Sequence, residues 1–302
     1  MTFPLAAKVM GITATADGTG VVIVETIFVK WRVPPMGKFF AVVLVIIALA
    51  SAYPIVTHQY KLPEDISTHG HAIDEQLADT MAEAGLAFLG AQLLLAFFIW
   101  KFSGRKPGEK VSAIPGGAKI MVAAAFILVG TEVLALGVFG QKAWAAVYFT
   151  PPAADALQVQ AQAGQFAYYF RYPGPDGKFG AIHPDKIDEG NSNFFGLDPA
   201  NDVEARDDVV AAELAIPVNK EVHMLMHAKD VGHSFFVREL RIQQDFVPGL
   251  DLSLHFTATK VGKYEIVCTQ LCGLGHYNMK AYLNVLSQED FDKWMKEKIS
   301  EQ

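Results

Sequence analysis

The sequence predicts a membrane-anchored chain in which two or three transmembrane helices precede an all-β domain. Three observations carry that prediction. Hydrophobic residues make up 51% of the 302, at the upper edge for soluble domains. In the first half they gather into three long apolar runs, and from about Thr150 onward no such run recurs. The second half alternates in short stretches broken by turn residues.

The runs are Phe39–Val56, Leu86–Trp100 and Ile120–Gly140. A hydrocarbon core of roughly 30 Å needs about 20 helical residues. The third run meets that alone, and the second meets it when Met81–Gly85 extends it. Lys8, Lys30, Arg32 and Lys38 precede the first run, and Lys101, Arg105, Lys106, Lys110 and Lys119 follow the second. Between the first two runs only Lys61 stands against Glu64, Asp65, Asp74, Glu75, Asp79 and Glu83. Basic loops stay cytoplasmic, so the 57–83 segment and everything after the third run are expected outside. The first run has two readings. It is either a retained span or a signal sequence cleaved after Ala50-Ser51-Ala52, a small-residue pattern with Pro54 close behind. The expected organisation is an N-terminal extension (1–38), the first run (39–56), an outer loop with a helical hairpin (57–142, helices at about 84–102 and 119–141), and the β domain (150–302).

Within that domain, Leu157–Pro173 alternates with many aromatics, and Gly174-Pro175-Asp176-Gly177 is a turn. Residues 180–208 read as a long loop. Strand-like stretches then recur: AAELAIPVN, EVHMLMHAKD, SFFVREL, DLSLHFTATK, GKYEIVC and KAYLNVLS. Such spacing indicates a β-sandwich or barrel. Residues 288–302 read as a charged helix on its outside. From residue 151 on, the chain has 14 Lys and Arg against 22 Asp and Glu, a net charge of −8. An acidic domain attracts basic partners and repels nucleic acid; a merely solvated surface has the same composition.

Both cysteines lie in VCTQLCGLGHYNMK, Val267–Lys280, with His276 and Met279 close behind. A disulfide across so short a loop would restrict the unfolded chain little. Zinc seeks four firm ligands, which a thioether is not. A blue-copper site uses one thiolate, and here there are two. Thiolate, imidazole and thioether together are a soft donor set that suits copper. Two thiolates with three residues between them can each bridge two ions, each ion then taking one imidazole and one weak axial donor. That arrangement needs a second histidine, and His233 in KDVGHSFFVREL, at a strand edge, is the candidate; taken alone, a histidine there is more often an ordinary polar residue.

DVGHSFFVRELRIQQDFVPG followed by CTQLCGLGHYNM resembles the copper-binding domain of the cytochrome c oxidase subunit II family, over about residues 75–295. The resemblance implies a cupredoxin Greek-key sandwich holding a binuclear CuA centre. Its ligands would be His233, Cys268, Cys272, His276, Met279 and the backbone carbonyl of Gln270. The implied partners are a c-type cytochrome donor, haem-containing subunit I and the other oxidase subunits. In such a subunit electrons pass from the centre to haem in subunit I, where O2 is reduced to water with proton pumping. The implied setting is the lipid of a bacterial inner membrane, with the copper domain on the periplasmic face. The same type of domain occurs in nitric oxide reductases, so a membrane subunit of that class is the alternative.

The chain departs from the family in four places. Gln270 stands where Glu is usual, keeping a carbonyl for copper but lacking the carboxylate that helps hold magnesium, so a magnesium site is in doubt. Phe166 stands at the Trp through which electrons enter, with Tyr168 and Tyr169 nearby. Arg241 and Asp245 are retained near the expected path to haem, but Gln243 replaces Lys. The Glu commonly found near the start of the second hairpin helix is missing, while Glu132 lies inside the third run, where an ionisable residue is a functional candidate for proton handling or for pairing with a polar group of subunit I.

Overall fold

The computed structural model describes residues 36–57, 61–104 and 115–301; the N-terminal extension before Met36 and residues 105–114 of the basic connection lie outside them. Among the described residues, three helices are long and apolar enough to cross a membrane by length and composition: Gly37–Val56, Gly70–Phe102 and Gly117–Val138.

The described residues fall into two compact units. One joins residues 36–49 to 91–104. Here the helix α1 (Met36–Val56) presents Ala41 and Ala48, and α2 (Gly70–Phe102) presents Ala96, as buried small residues. Small side chains let helix backbones come close. The Lys38 ammonium lies 5.3 Å from the centre of the Trp100 ring.

The other unit holds residues 50–90 and everything from 115 on. Helix α2 starts well before its apolar stretch because its first turn is capped: Ser67 Oγ accepts from Gly70 N at 2.8 Å, and Asp65 in turn accepts from the Ser67 amide and hydroxyl. Helix α3 (Gly117–Ala135) widens into one π-turn at Leu136–Gly140 and continues as α4 (Gln141–Tyr148). Trp144, Tyr148 and Phe149 form an aromatic cluster at its end, with the Trp144 and Phe149 rings 4.6 Å apart. Trp and Tyr favour the membrane–water boundary.

Ten strands follow: β1 (Leu157–Gly164), β2 (Ala167–Tyr172), β3 (Val209–Ala211), β4 (Leu214–Pro217), β5 (Glu221–Ala228), β6 (His233–Val237), β7 (Ile242–Phe246), β8 (Leu252–Thr257), β9 (Gly262–Val267) and β10 (Lys280–Leu286). They form two five-stranded sheets, ordered β3-β2-β1-β5-β8 and β4-β10-β9-β6-β7. Strands β5 and β10 keep the period-2 pattern that buries one face, whereas β1 and β4 are buried on both faces. Val159, Ala161 and Ala163 of β1, and Val222, Met224 and Met226 of β5, point inward against Phe235, Val237, Ile266 and Leu283 of the other sheet. This is the all-β sandwich that the sequence predicts. The C-terminal helix α5 (Gln288–Ser300) is capped by Ser287 and buries Phe291 beside Tyr172.

Beyond β2, two stretches differ from the sequence reading. AAELAIPVN, read as one strand, holds the last residue of β3 and the whole of β4: β3 pairs with β2 in one sheet and β4 with β10 in the other, so the chain changes sheets at Ala212-Glu213. Residues 180–208 form a built cover over the outer face of β1 and β2. Its anchor is the ion pair between Arg171 and Asp208, both side chains fully buried. Arg171 also donates to Gln160 Oε1 and to the Gly180 carbonyl, and Tyr169 stacks on Phe194.

The segment before α2 is stitched onto the sandwich. Ile66 is fully buried, its amide donates to the Glu239 carbonyl, and Thr259 N donates to the Ile66 carbonyl at 2.7 Å. Arg241, at φ 58°, donates to both oxygens of Asp74, to the Pro63 carbonyl and to the Arg238 carbonyl. Replacing Arg241 by Met is expected to weaken this strap by about 1.5–3 kcal/mol, the usual range for hydrogen bonds to charged groups. Limited proteolysis should then cut between Lys61 and Ser67, which the intact chain protects. Arg241→Lys should not restore protection, because a single ammonium cannot span both carboxylate oxygens as the guanidinium fork does.

Candidate metal centre

Two loops at one end of the sandwich bring the predicted residues together. The first is the turn between β5 and β6, which ends at His233. The second joins β9 to β10 and carries Cys268–Met279; the Cys268 amide donates to the Met279 carbonyl at its base, continuing the Val267–Lys280 register. Gly273, at φ 134°, permits a reversal that side chains rarely adopt. A short 3₁₀ turn, His276–Asn278, then returns the chain to β10.

The ligand atoms of His233, Cys268 and Cys272 all lie within 4.8 Å of one another, and all three residues are buried. The two sulfurs are 3.9 Å apart and both thiols are free. Cys272 Sγ lies 3.6 Å from His276 Nδ1 and 3.8 Å from Met279 Sδ. Cys268 Sγ is 3.1 Å from the Gln270 carbonyl, which points inward at the sulfurs. The six predicted donors therefore converge on one small volume.

His233 shows which of its atoms is available. Asp230 Oδ1 lies 2.7 Å from Nε2. A carboxylate can only accept, so Nε2 carries the proton and Nδ1 keeps its lone pair. Nδ1 is buried and has no partner. An orphaned buried nitrogen is costly unless something fills its lone pair, and a metal ion beside two thiols would do so. Burial works against the Asp230 carboxylate, but His233 and the amides of Gln165 and Val231 outweigh it and hold the carboxyl below its ordinary range. Burial, with Cys268 beside it, pushes the Cys272 thiol up to about 11. Cys268 and Cys272 would hold a metal ion as thiolates, its positive charge offsetting the burial of the sulfurs. The donor set fits a soft metal.

The aromatic candidates separate. The Phe166 ring lies on the cysteine loop against Gly273 and Gly275 and is 40% exposed. Tyr168 is 2% exposed, its hydroxyl donating to the Ser234 carbonyl at 2.6 Å. Burial, with Cys268 nearby, raises the Tyr168 hydroxyl well above its ordinary range. Phe166 is thus at the surface of the site and Tyr168 beneath it. Asp245 sits opposite Ser234 in the β6–β7 ladder, next to the His233–Phe246 pair. Arg241 lies beyond the far end of that ladder, roughly 13 Å along the strand from Asp245 at ~3.3 Å per residue. Glu132 lies in α3, partly exposed. Leu274 and Tyr277, 96% and 90% exposed, and Leu271 beside them, make an apolar rim on the loop.

Sequence reasoning missed Asp230 and Gln165. Asp230 reads as a turn residue, yet its spacing of three before His233 is the available signal. Gln165 carries no signal, because its partner is a backbone carbonyl over a hundred residues away.

Comparison with known proteins bears on this geometry. The family model described as cytochrome C oxidase subunit II, periplasmic domain, matches residues 190–286. The alternative cytochrome c oxidase subunit 2 of Bradyrhizobium diazoefficiens is 29% identical over 262 residues, 85% of this chain and 91% of the relative. Cytochrome c oxidase subunit 2 of Thermostichus vulcanus is 44% identical over 89 residues, 30% of this chain and 27% of the relative. Among solved structures, the periplasmic domain of subunit II of cytochrome oxidase (CoxB) of Bradyrhizobium japonicum aligns with 25% identity and TM-score 0.37, over 50% of this chain and 99% of that one. A match to the family's domain model over residues 190–286, joined by a relative aligned over 85% of the chain, makes the chain similar to cytochrome c oxidase subunit II over most of its length.

Proposed function

We propose that the chain is the copper-bearing subunit II of a cytochrome c oxidase. It receives electrons from a c-type cytochrome and delivers them to haem in subunit I, where O2 is reduced to water with proton pumping. The observation that carries this reading is the convergence of His233, Cys268 and Cys272 from two separate loops, with Nδ1 of His233 left free. His276, Met279 and the Gln270 carbonyl complete the donor set for two copper ions. When bound, such a binuclear centre supplies one-electron chemistry with the charge spread over both ions.

The chain's own residues do the rest. Asp230 fixes the His233 ring and its tautomer, as outer carboxylates do for metal-bound imidazoles. Leu271, Cys272 and Gly273 turn the second thiol inward, and Cys268 and Cys272 stay buried away from competing water. The Met279 thioether offers a weak donor from a buried position. Phe166 covers the loop from outside, and the charge-free rim at Leu271, Leu274 and Tyr277 is the surface over which a donor approaches. The basic 101–119 connection and the acidic 57–83 segment support a periplasmic copper domain on an inner-membrane anchor.

The test is the EPR spectrum of the full-length chain in detergent, loaded with copper. Hyperfine structure from two equivalent copper nuclei is expected, and a single-copper pattern would refute the binuclear reading. Met279→Leu should keep both coppers while shifting the reduction potential, since only a weak ligand is lost. Loss of metal from that variant would contradict the role given to Met279.

A further inference from the structure

The two halves of the site meet with little direct backbone pairing. His233 opens β6 and the cysteines follow β9, yet β6 and β9 share one register pair, Phe236–Val267. A hydroxyl bond from Thr269 to Ser234, 3.0 Å, is a further tie between them. The β1–β2 turn, which belongs to the other sheet, reaches both halves. Asp230, which holds His233, accepts from the Gln165 amide through its second oxygen at 2.7 Å. The Gln165 side-chain amide donates to the Cys272 carbonyl at 2.6 Å. Phe166 then rests on the same loop. A methyl group added at Gly275 would come within 2.5 Å of the ring, and one at Gly273 within 2.9 Å of Gln165 Nε2.

We infer that Gln165 is a positioning residue: with Phe166 it clamps the histidine half of the site to the cysteine half, so that the metal-free chain already holds the arrangement that receives copper. This rests on the copper reading of the cluster. Both ends of the clamp are short bonds to groups adjacent to metal-ligating residues, and the Gln165 side chain itself contributes no atom to the ligand set. Fixing the loop beforehand removes ordering cost from the binding step, the general source of preorganised affinity. Without the side chain, the cysteine loop keeps its own base and 3₁₀ turn but loses its hydrogen bond to the β1–β2 turn, whose Gln165 amide holds Asp230.

The experiment compares the full-length chain in detergent with Gln165→Leu and with a control, Gln158→Leu. Gln158 lies on β1, the strand that leads into the Gln165 turn, and bonds the Ala156 carbonyl and the His223 ring, so its loss removes comparable side-chain bonds outside the donor cluster. Copper(I) affinity is read by competition with a chromogenic chelator, and amide exchange across residues 268–279 is read in the metal-free protein. Gln165 is exposed, so Gln165→Leu is expected to fold. It should bind copper about tenfold more weakly, the lower end for loss of an outer partner, and exchange faster across the loop, while Gln158→Leu matches the wild type. Equal affinity and equal exchange in Gln165→Leu and the wild type would overturn the clamp. A one-copper EPR spectrum in the wild type would sink the binuclear reading, whereas a tenfold affinity gap between the variants would still support the clamp.

Discussion

Cys272→Ser is expected to abolish the two-copper EPR signature and to cut oxidase turnover of the assembled complex by at least ~100-fold, since losing even an outer partner of a ligand costs about 10–100-fold. Cys272 is the hub of the donor set. Its sulfur lies 3.9 Å from Cys268 Sγ, 3.6 Å from His276 Nδ1 and 3.8 Å from Met279 Sδ. A serine hydroxyl is harder than a sulfur and does not ionise readily, so it cannot act as a soft anionic bridge. The substitution nearly conserves shape, and the metal-free melting temperature should change little. The effect therefore separates loss of the centre from loss of the fold. Retention of two equivalent coppers by Cys272→Ser would show that this sulfur is not a bridging ligand.

Asp208→Ala should have the largest effect on stability. Arg171 and Asp208 are both fully buried, and the guanidinium lies 5.1 Å from the Phe179 ring centre and 5.8 Å from that of Phe195. Removing the carboxylate leaves the cation with only the Gln160 and Gly180 oxygens as acceptors. Breaking one side of a buried pair costs about 3–5 kcal/mol, because a charge remains buried without its partner. Urea denaturation of the full-length chain should show that loss, with the 180–208 cover opening first in hydrogen exchange. The double replacement Arg171→Met with Asp208→Leu should recover most of it, since matched apolar side chains carry no such penalty. If the single variant lost less than about 1 kcal/mol, the pair would not be the anchor of the cover, because that is the range of an exposed ion pair.

How much the sequence disclosed follows from how local each feature is. The cysteine loop was legible because five of its six donors lie within twelve consecutive residues, and spacing alone limits what chemistry they can do. The apolar runs were legible because a membrane span is a matter of length and composition. The change of sheets at Ala212-Glu213 was not, since no Gly or Pro marks it and AAELAIPVN reads as one strand. Leu157–Pro173 likewise read as one alternating stretch, although the chain reverses at Gln165-Phe166 to make the β1–β2 hairpin. The cover over β1 and β2 looked like a loop because Arg171 and Asp208, 37 residues apart, appear solvated until the fold buries them. Asp230 and Gln165 belong to the same class: their meaning lies in partners brought close only by the sandwich.

The parallel pairing of β1 with β5 ties Leu157–Ala163 to Val222–Ala228, some 65 residues away in sequence. Non-local pairings of this kind close late, because the loop entropy is lost before the contacts repay it. Strand β10, which closes the cysteine loop at its base, is the last strand of the domain to leave the ribosome. No shorter nascent chain can hold His233 and the cysteines in register. On the copper reading, loading of the site would follow synthesis and folding of the whole domain, so that the ion would reach a finished surface rather than an emerging chain.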